Sequence, residues 1–183
     1  LISQINELGF YAVELSRDLT RDQIEQLKPH LAHTRASSIH NFCPTLPHAR
    51  QADMERDPIL LSSLDINERA EALSWTTRTM ELASDLEIPV IVLHLGEVIT
   101  YDRSYLMHNL YEYGEREFEA FSNKVTEAMD WRERKQAKHR DAVLFSLDQL
   151  NELAVRMNLF LAIENRPRYY QIPNFEEVEI FLD

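Results

Sequence analysis

The chain has 183 residues, 44% hydrophobic and 27% charged, enough for one globular domain with its own core. A formal net charge of -12 argues against duplex nucleic acid or an anionic membrane as partner, and no apolar run approaches the ~20 residues that a membrane helix needs. The single cysteine, Cys43, excludes an internal disulfide and suits a reducing cytoplasm, and with three glycines there is no Gly-rich phosphate loop.

Residues 1–8 space Leu1, Ile2, Ile5 and Leu8 as a helix does, and Gly9 fits the left-handed position that ends one. Tyr11-Ala12-Val13-Glu14-Leu15 predicts a strand. Thr20 with Gln23 forms a capping box for a helix whose buried stripe is Ile24, Leu27 and Leu31, short or kinked because of Pro29. Residues 36–40 predict the next strand. Residues 41–63 form a long loop with Pro44, Pro47 and Pro58, and loops of that length are often functional. Asp65 and Glu68 open a helix over residues 66–86, with Ala70, Leu73, Thr77, Met80 and Ala83 expected inside. Residues 89–94 are almost wholly apolar and predict a strand covered on both faces.

From Thr100 to Asn158 no strand is expected. Helices are predicted over 104–113, 116–138 and 142–157, with Gly114 between the first two. The charge-rich run from Trp131 to Arg140 reads as a solvated helix face rather than a phosphate patch, and His30, His33, His48, His108 and His139 read as solvated. Residues 160–164 predict the fourth strand, and Asn174-Phe175-Glu176-Glu177 the start of a last helix. The chain opens with Leu1 and closes at Asp183, both in helical pattern, and reads as part of a longer protein.

Strands alternating with helices imply parallel βαβ units in a single α/β domain, with the site at the C-terminal strand ends. That rim receives Glu14, His40, His94 and Glu164. Two imidazoles and a carboxylate are a ligand set for Zn²⁺, Mn²⁺, Co²⁺ or Fe²⁺, with Mg²⁺ a further candidate. The spacing is not a compact motif, so the set depends on the fold bringing the strands together. The alternatives are histidines satisfied by backbone, and a Glu164 salt bridge to Arg166 or Arg168. Asn165 and Arg166 are placed to hold hydroxyls or a phosphate, and Asn41 follows His40 at the rim.

Four segments together resemble the xylose isomerase-like TIM-barrel superfamily, which includes sugar-phosphate isomerases and epimerases and the endonuclease IV type of AP endonuclease. Residues 8–15 (Leu-Gly-Phe-Tyr-Ala-Val-Glu-Leu) resemble its second strand, and Ser38-Ile39-His40 its third. Val92-Leu93-His94-Leu95-Gly96 resembles its fourth and Ala162-Ile163-Glu164-Asn165-Arg166 its fifth. The resemblance implies a partial (β/α)8 TIM barrel, strands two to five with flanking helices, as a single domain over residues 1–183. It implies that Glu164 binds metal and moves a proton, and that His40 and His94 bind metal or line the pocket. Glu14, Asn41, Asn165 and Arg166 would contact substrate. The implied activity is a divalent-metal-dependent isomerase or epimerase acting on a sugar, sugar phosphate or related polyol next to a carbonyl. The alternatives are an AP endonuclease and a non-catalytic ligand-binding barrel. Strand one and strands six to eight have no counterpart here, so further chain or a second copy in a homo-oligomer is expected to cover the sheet edges.

Overall fold

Short runs of branched apolar residues separated by capped helices give alternating elements along the chain. The computed structural model describes residues 2–31, 33–46, 57–98, 111, 112 and 119–182. In chain order the elements are α1 (Ile2–Glu7), β1 (Ala12–Leu15), α2 (Arg21–Leu31), β2 (Arg35–His40), α3 (Ile66–Asp85), β3 (Val90–Leu93), β4 (Gly96–Glu97), α4 (Glu119–Met157), β5 (Phe160–Ile163), β6 (Gln171–Ile172) and α5 (Val178–Leu182). Strands β1, β2, β3 and β5 pair in parallel, in that order, in one four-stranded sheet. This is the expected partial barrel.

The strand period of two divides the sheet into unlike faces. Leu15, Ile39, Ile91 and Leu161 lie in one cross-strand row, and Leu93 pairs with Ile163 in the next row on the same face. Ile39, Ile91 and Leu93 are fully buried there, in one core with Ala72, Met80 and Ala83 of α3 and Val143, Leu150 and Ala154 of α4. The opposite face carries Ser38, His40, Val90, Val92 and Ala162. Val90 and Val92 are only half-buried, so the described residues do not cover both faces of β3 as its composition suggested.

The caps form as their residues dictate. The Thr20 amide donates to Gln23 Oε1 at 2.8 Å, and the Gln23 amide to Thr20 Oγ1 at 3.3 Å. Asp65 caps α3 by accepting from the amides of Asn67 and Glu68. Glu68, however, reaches back to the Leu60 amide and the Ser63 hydroxyl instead of closing the box. Pro29 is accommodated inside α2 near its end. On α3 the buried residues are Ala72, Thr76, Thr79, Met80 and Ala83, whereas Ala70 is exposed and Leu73 and Thr77 are half-buried.

Two further expectations change. The sequence predicts separate helices over 116–138 and 142–157, yet Glu119–Met157 is one helix of 39 residues, about 58 Å long, because Lys138 to Ala142 contains neither Gly nor Pro. Of the helix expected over 104–113, only Tyr111 and Glu112 are described, and Gly114, His48 and His108 lie outside the described residues. His139 is buried, not solvated, and its Nδ1–H donates to the Ser62 carbonyl at 2.8 Å. The same turn is held by Ser146, whose hydroxyl donates to the Leu61 carbonyl at 3.0 Å, and by Arg69, which donates to the Ser63 carbonyl.

A small antiparallel ribbon, β4 with β6, sits beyond the strand ends. Ser62 fastens it, its Oγ accepting from the Glu97 amide and donating to the Glu97 carbonyl, each at 2.8 Å. The fit is tight at Gly96, which has φ +114°.

Candidate metal centre at the strand ends

His40 is the last residue of β2, His94 follows β3 directly, and Glu164 follows β5 directly. Parallel pairing continues past the strands, since the Glu164 amide donates to the Leu93 carbonyl. The three side chains therefore meet on the sheet face opposite the helices. The imidazoles pack edge to face, with ring centroids 4.4 Å apart. His40 Nε2 lies 3.0 Å and His94 Nε2 3.2 Å from the same oxygen, Glu164 Oε2. All three candidate ligand atoms lie within 4.8 Å of one another.

The outer nitrogens decide what these inner atoms are. His40 Nδ1 is 3.1 Å from the Asn41 carbonyl, which only accepts, so Nδ1 carries the proton. His94 Nδ1 is 2.9 Å from Asp57 Oδ1 and 3.1 Å from Arg17 Nη1, and it cannot donate to one while accepting from the other. A bare nitrogen at that distance from a carboxylate would repel it, so the proton lies between His94 and Asp57. Each neutral imidazole then turns a bare Nε2 lone pair toward a carboxylate oxygen. Three acceptors facing one point need protons on both Nε2 atoms or a cation among them.

The two nitrogen–oxygen spacings are compatible with a shared cation as well as with hydrogen bonds. Two ligand atoms each ~2.1 Å from a common ion lie ~3.0 Å apart at a right angle and ~3.4 Å apart at a tetrahedral angle. The observed 3.0 and 3.2 Å fall in that interval. Where the rings are protonated instead, partial burial pushes the Glu164 carboxyl up, but the hydrogen bonds and charges of His40 and His94 outweigh it and hold the carboxyl below its ordinary value.

Arg166 does not pair with Glu164. Its Nη1 donates to Asp57 Oδ2 at 2.7 Å, and Arg17 pairs with Asp57 Oδ1. The Asp57 side chain is 5% exposed. Burial pushes its carboxyl up, and the hydrogen bond and charge of His94 with the charges of Arg166 and Arg17 hold it below the usual range nonetheless. Neither Asp57 nor Arg17 was expected at the site. Arg17 stands two residues past β1, where strand-end logic applied one step further reaches it. Asp57 carries no local signal, since it lies in the long loop.

The other expected residues are scattered. Glu14 lies exposed within β1 and accepts from the Ser38 hydroxyl at 2.6 Å, a row back from the rim. Asn165 is exposed beside Glu164. Asn41, expected in the substrate pocket, is instead 2% exposed under α3, donating to Thr76 Oγ1 at 2.9 Å and accepting from Thr79 Oγ1 at 3.1 Å. Its side chain turns away from the cluster because strand residues alternate faces after His40.

Residues 2–183 match the family described as xylose isomerase-like TIM barrel. No curated protein sequence matches the chain. Among solved structures, the chain is similar to a 3-keto-D-glucoside 4-epimerase from E. coli in its apo form, with TM-score 0.61 and 16% identity, over 99% of this chain and 56% of that one. It is similar to the D-psicose 3-epimerase from Clostridium cellulolyticum H10 with D-tagatose, with TM-score 0.56 and 18% identity, over 99% of this chain and 52% of that one. A xylose isomerase domain protein from Planctomyces limnophilus gives TM-score 0.55 and 14% identity, over 100% of this chain and 53% of that one. The chain thus spans about half the length of the solved structures it matches. With that match over nearly its whole length, and four parallel strands carrying a polar rim, the chain belongs to the xylose isomerase-like TIM-barrel family.

Proposed function

We propose that this chain forms part of a divalent-metal-dependent isomerase or epimerase acting on a sugar, a sugar phosphate or a related polyol. The observation that carries the proposal is the convergence of two imidazole Nε2 atoms on one carboxylate oxygen at 3.0 and 3.2 Å. The similarity to sugar epimerases agrees with it. His40, His94 and Glu164 would hold the ion, which when bound polarises a substrate carbonyl and its neighbouring hydroxyl.

Glu164 is also the proton carrier. At 48% exposure its carboxylate can reach a substrate and accept the proton next to the carbonyl. Asn165, exposed beside it, offers an amide to a sugar hydroxyl. Arg166, tethered by Asp57, places a guanidinium at the same strand end for a hydroxyl or a phosphate oxygen. Glu14, a row back on β1, would meet the far end of a longer substrate. Asn41 anchors the β2 end that carries His40 and takes no part in binding.

The test uses the full-length protein purified without chelator. Elemental analysis should find a divalent ion that Glu164→Gln and His94→Ala each remove, and a panel of ketoses and inositol-type polyols should show proton exchange from solvent that the Gln variant abolishes. A protein that takes up no Mn²⁺, Zn²⁺, Co²⁺ or Mg²⁺ in calorimetry and exchanges no substrate proton would overturn the proposal.

A further inference from the structure

We propose that Asp57 is a positioning residue that fixes the tautomer of His94, so that the bare Nε2 of that ring faces the strand-end site. The consequence for metal affinity rests on the metal-dependent function proposed above, but the tautomer itself does not. Asp57 comes from the segment before α3, 37 residues from His94 in sequence, 40 from Arg17 and 109 from Arg166, so the cluster joins three strand ends to that segment. Its carboxylate is fully used: Oδ1 meets Arg17 and the His94 ring, and Oδ2 meets Arg166. Two guanidinium groups around one buried carboxylate keep it ionised and fixed in orientation.

His94 thus stands between two carboxylates, and one proton must choose. Asp57 is closer, at 2.9 Å against 3.2 Å for Glu164, and drier, at 5% against 48% exposure. The proton goes to the shorter bond in the less solvated place, which is Nδ1. His40 reaches the same state differently, since its Nδ1 is held by the Asn41 carbonyl, which no substitution of a side chain removes. Among the described residues Asp57 is therefore the side chain that sets the ligand form of the His94 ring, and it does so without pointing into the site. If Asp57 is removed, Arg17 Nη1, 3.1 Å from Nδ1, remains as a donor and Glu164 as an acceptor on the other side. Both push the proton to Nε2, where it blocks the lone pair.

The experiment is long-range ¹H–¹⁵N correlation of the histidine rings in metal-free full-length protein at about pH 8, above the ordinary histidine range of about 6.5. The wild type should show a proton of His94 on Nδ1, whether or not Nε2 also carries one. Asp57→Ala should move it to Nε2 while His40 keeps its proton on Nδ1, and calorimetric Mn²⁺ or Zn²⁺ affinity should fall about ten- to a hundredfold. Asp57→Asn, nearly equal in shape, repeats the comparison if the alanine variant does not fold. A wild-type His94 with no proton on Nδ1, or variants that keep a proton there, overturn the proposal. If the proton moves as expected but the wild type binds neither ion, the positioning role stands and the metal-dependent function falls.

Discussion

The buried pair between α4 and the start of α5 offers the sharpest energetic test of the fold. Arg132 and Glu177 have side chains 2% and 3% exposed, and Arg132 Nη2 donates to Glu177 Oε2 at 2.6 Å. The same Nη2 donates to the Gln171 carbonyl at 3.1 Å, and Glu177 Oε2 also accepts from the Asn174 amide at 2.8 Å. Among the described residues Arg132 Nε and Glu177 Oε1 have no hydrogen-bond partner, and both residues line a cavity of 360 Å³. Desolvation costs several kcal/mol per ion, so a pair with one unsatisfied atom on each side adds little net stability. Removing one partner is a different matter. Arg132→Met strands a buried carboxylate and should cost about 3–5 kcal/mol. Glu177→Gln in that background removes the charge but keeps an acceptor for the Asn174 amide, so the double variant should recover about 2 kcal/mol of that loss. Urea unfolding followed by circular dichroism, on the full chain, gives the coupling energy from the four-member cycle. A double variant that loses the sum of the two single losses would refute the premise that a buried charge governs the cost.

Other substitutions separate packing from chemistry. Gly96→Ala places a Cβ 2.3 Å from Ser62 Oγ at a φ of +114°, and should cost about 3–4 kcal/mol in urea unfolding, from about 2 of backbone strain and about 1 for each Ser62–Glu97 hydrogen bond disturbed. Asn41→Ala should cost about 2 kcal/mol through its two lost hydrogen bonds to Thr76 and Thr79 while leaving the calorimetric metal affinity of the full-length protein unchanged; a selective loss of affinity would place Asn41 in the site after all. The pKa of Asp57 is lowered on folding, so its ion pairs stabilise the protein above the ordinary aspartate value of about 4 and are lost as pH falls through the lower folded value. Asp57→Asn should flatten the acid limb of a stability-against-pH curve below about pH 4 and leave no added slope above pH 6.

The parts of the fold that were legible in the sequence are those governed by local rules. Strand ends at His40, His94 and Glu164 follow from apolar runs that stop at a polar residue, and the shared face follows from their parity along parallel strands. Thr20 with Gln23 and Asp65 before α3 act as caps because their side chains reach the nearest free amides. Features set by distant partners were not legible. His139 looks like one more polar residue on a charged helix until the Ser62 carbonyl comes to meet it, and Arg132 in the same run is buried for an equally remote reason. The ribbon at Gly96 and Gln171 is too short to show a period. Ala70 exchanges places with Ala72 because a helical stripe read from alanine and threonine has several phases of almost equal apolarity.

The turn at residues 60–63 is fastened from every direction. Its carbonyls receive His139, Ser146 and Arg69, the Leu60 amide and Ser63 hydroxyl go to Glu68, and Ser62 Oγ grips Glu97. Such a knot joins α3, α4 and the β4–β6 ribbon into one unit of local opening. Amide hydrogen exchange at Leu60 and Glu97 should then be as slow as at the central strands and should share their dependence on denaturant, although these amides lie outside the main sheet. The ribbon behaves as an outlying part of the core, and the strand-end residues beside it inherit a rigid rear wall.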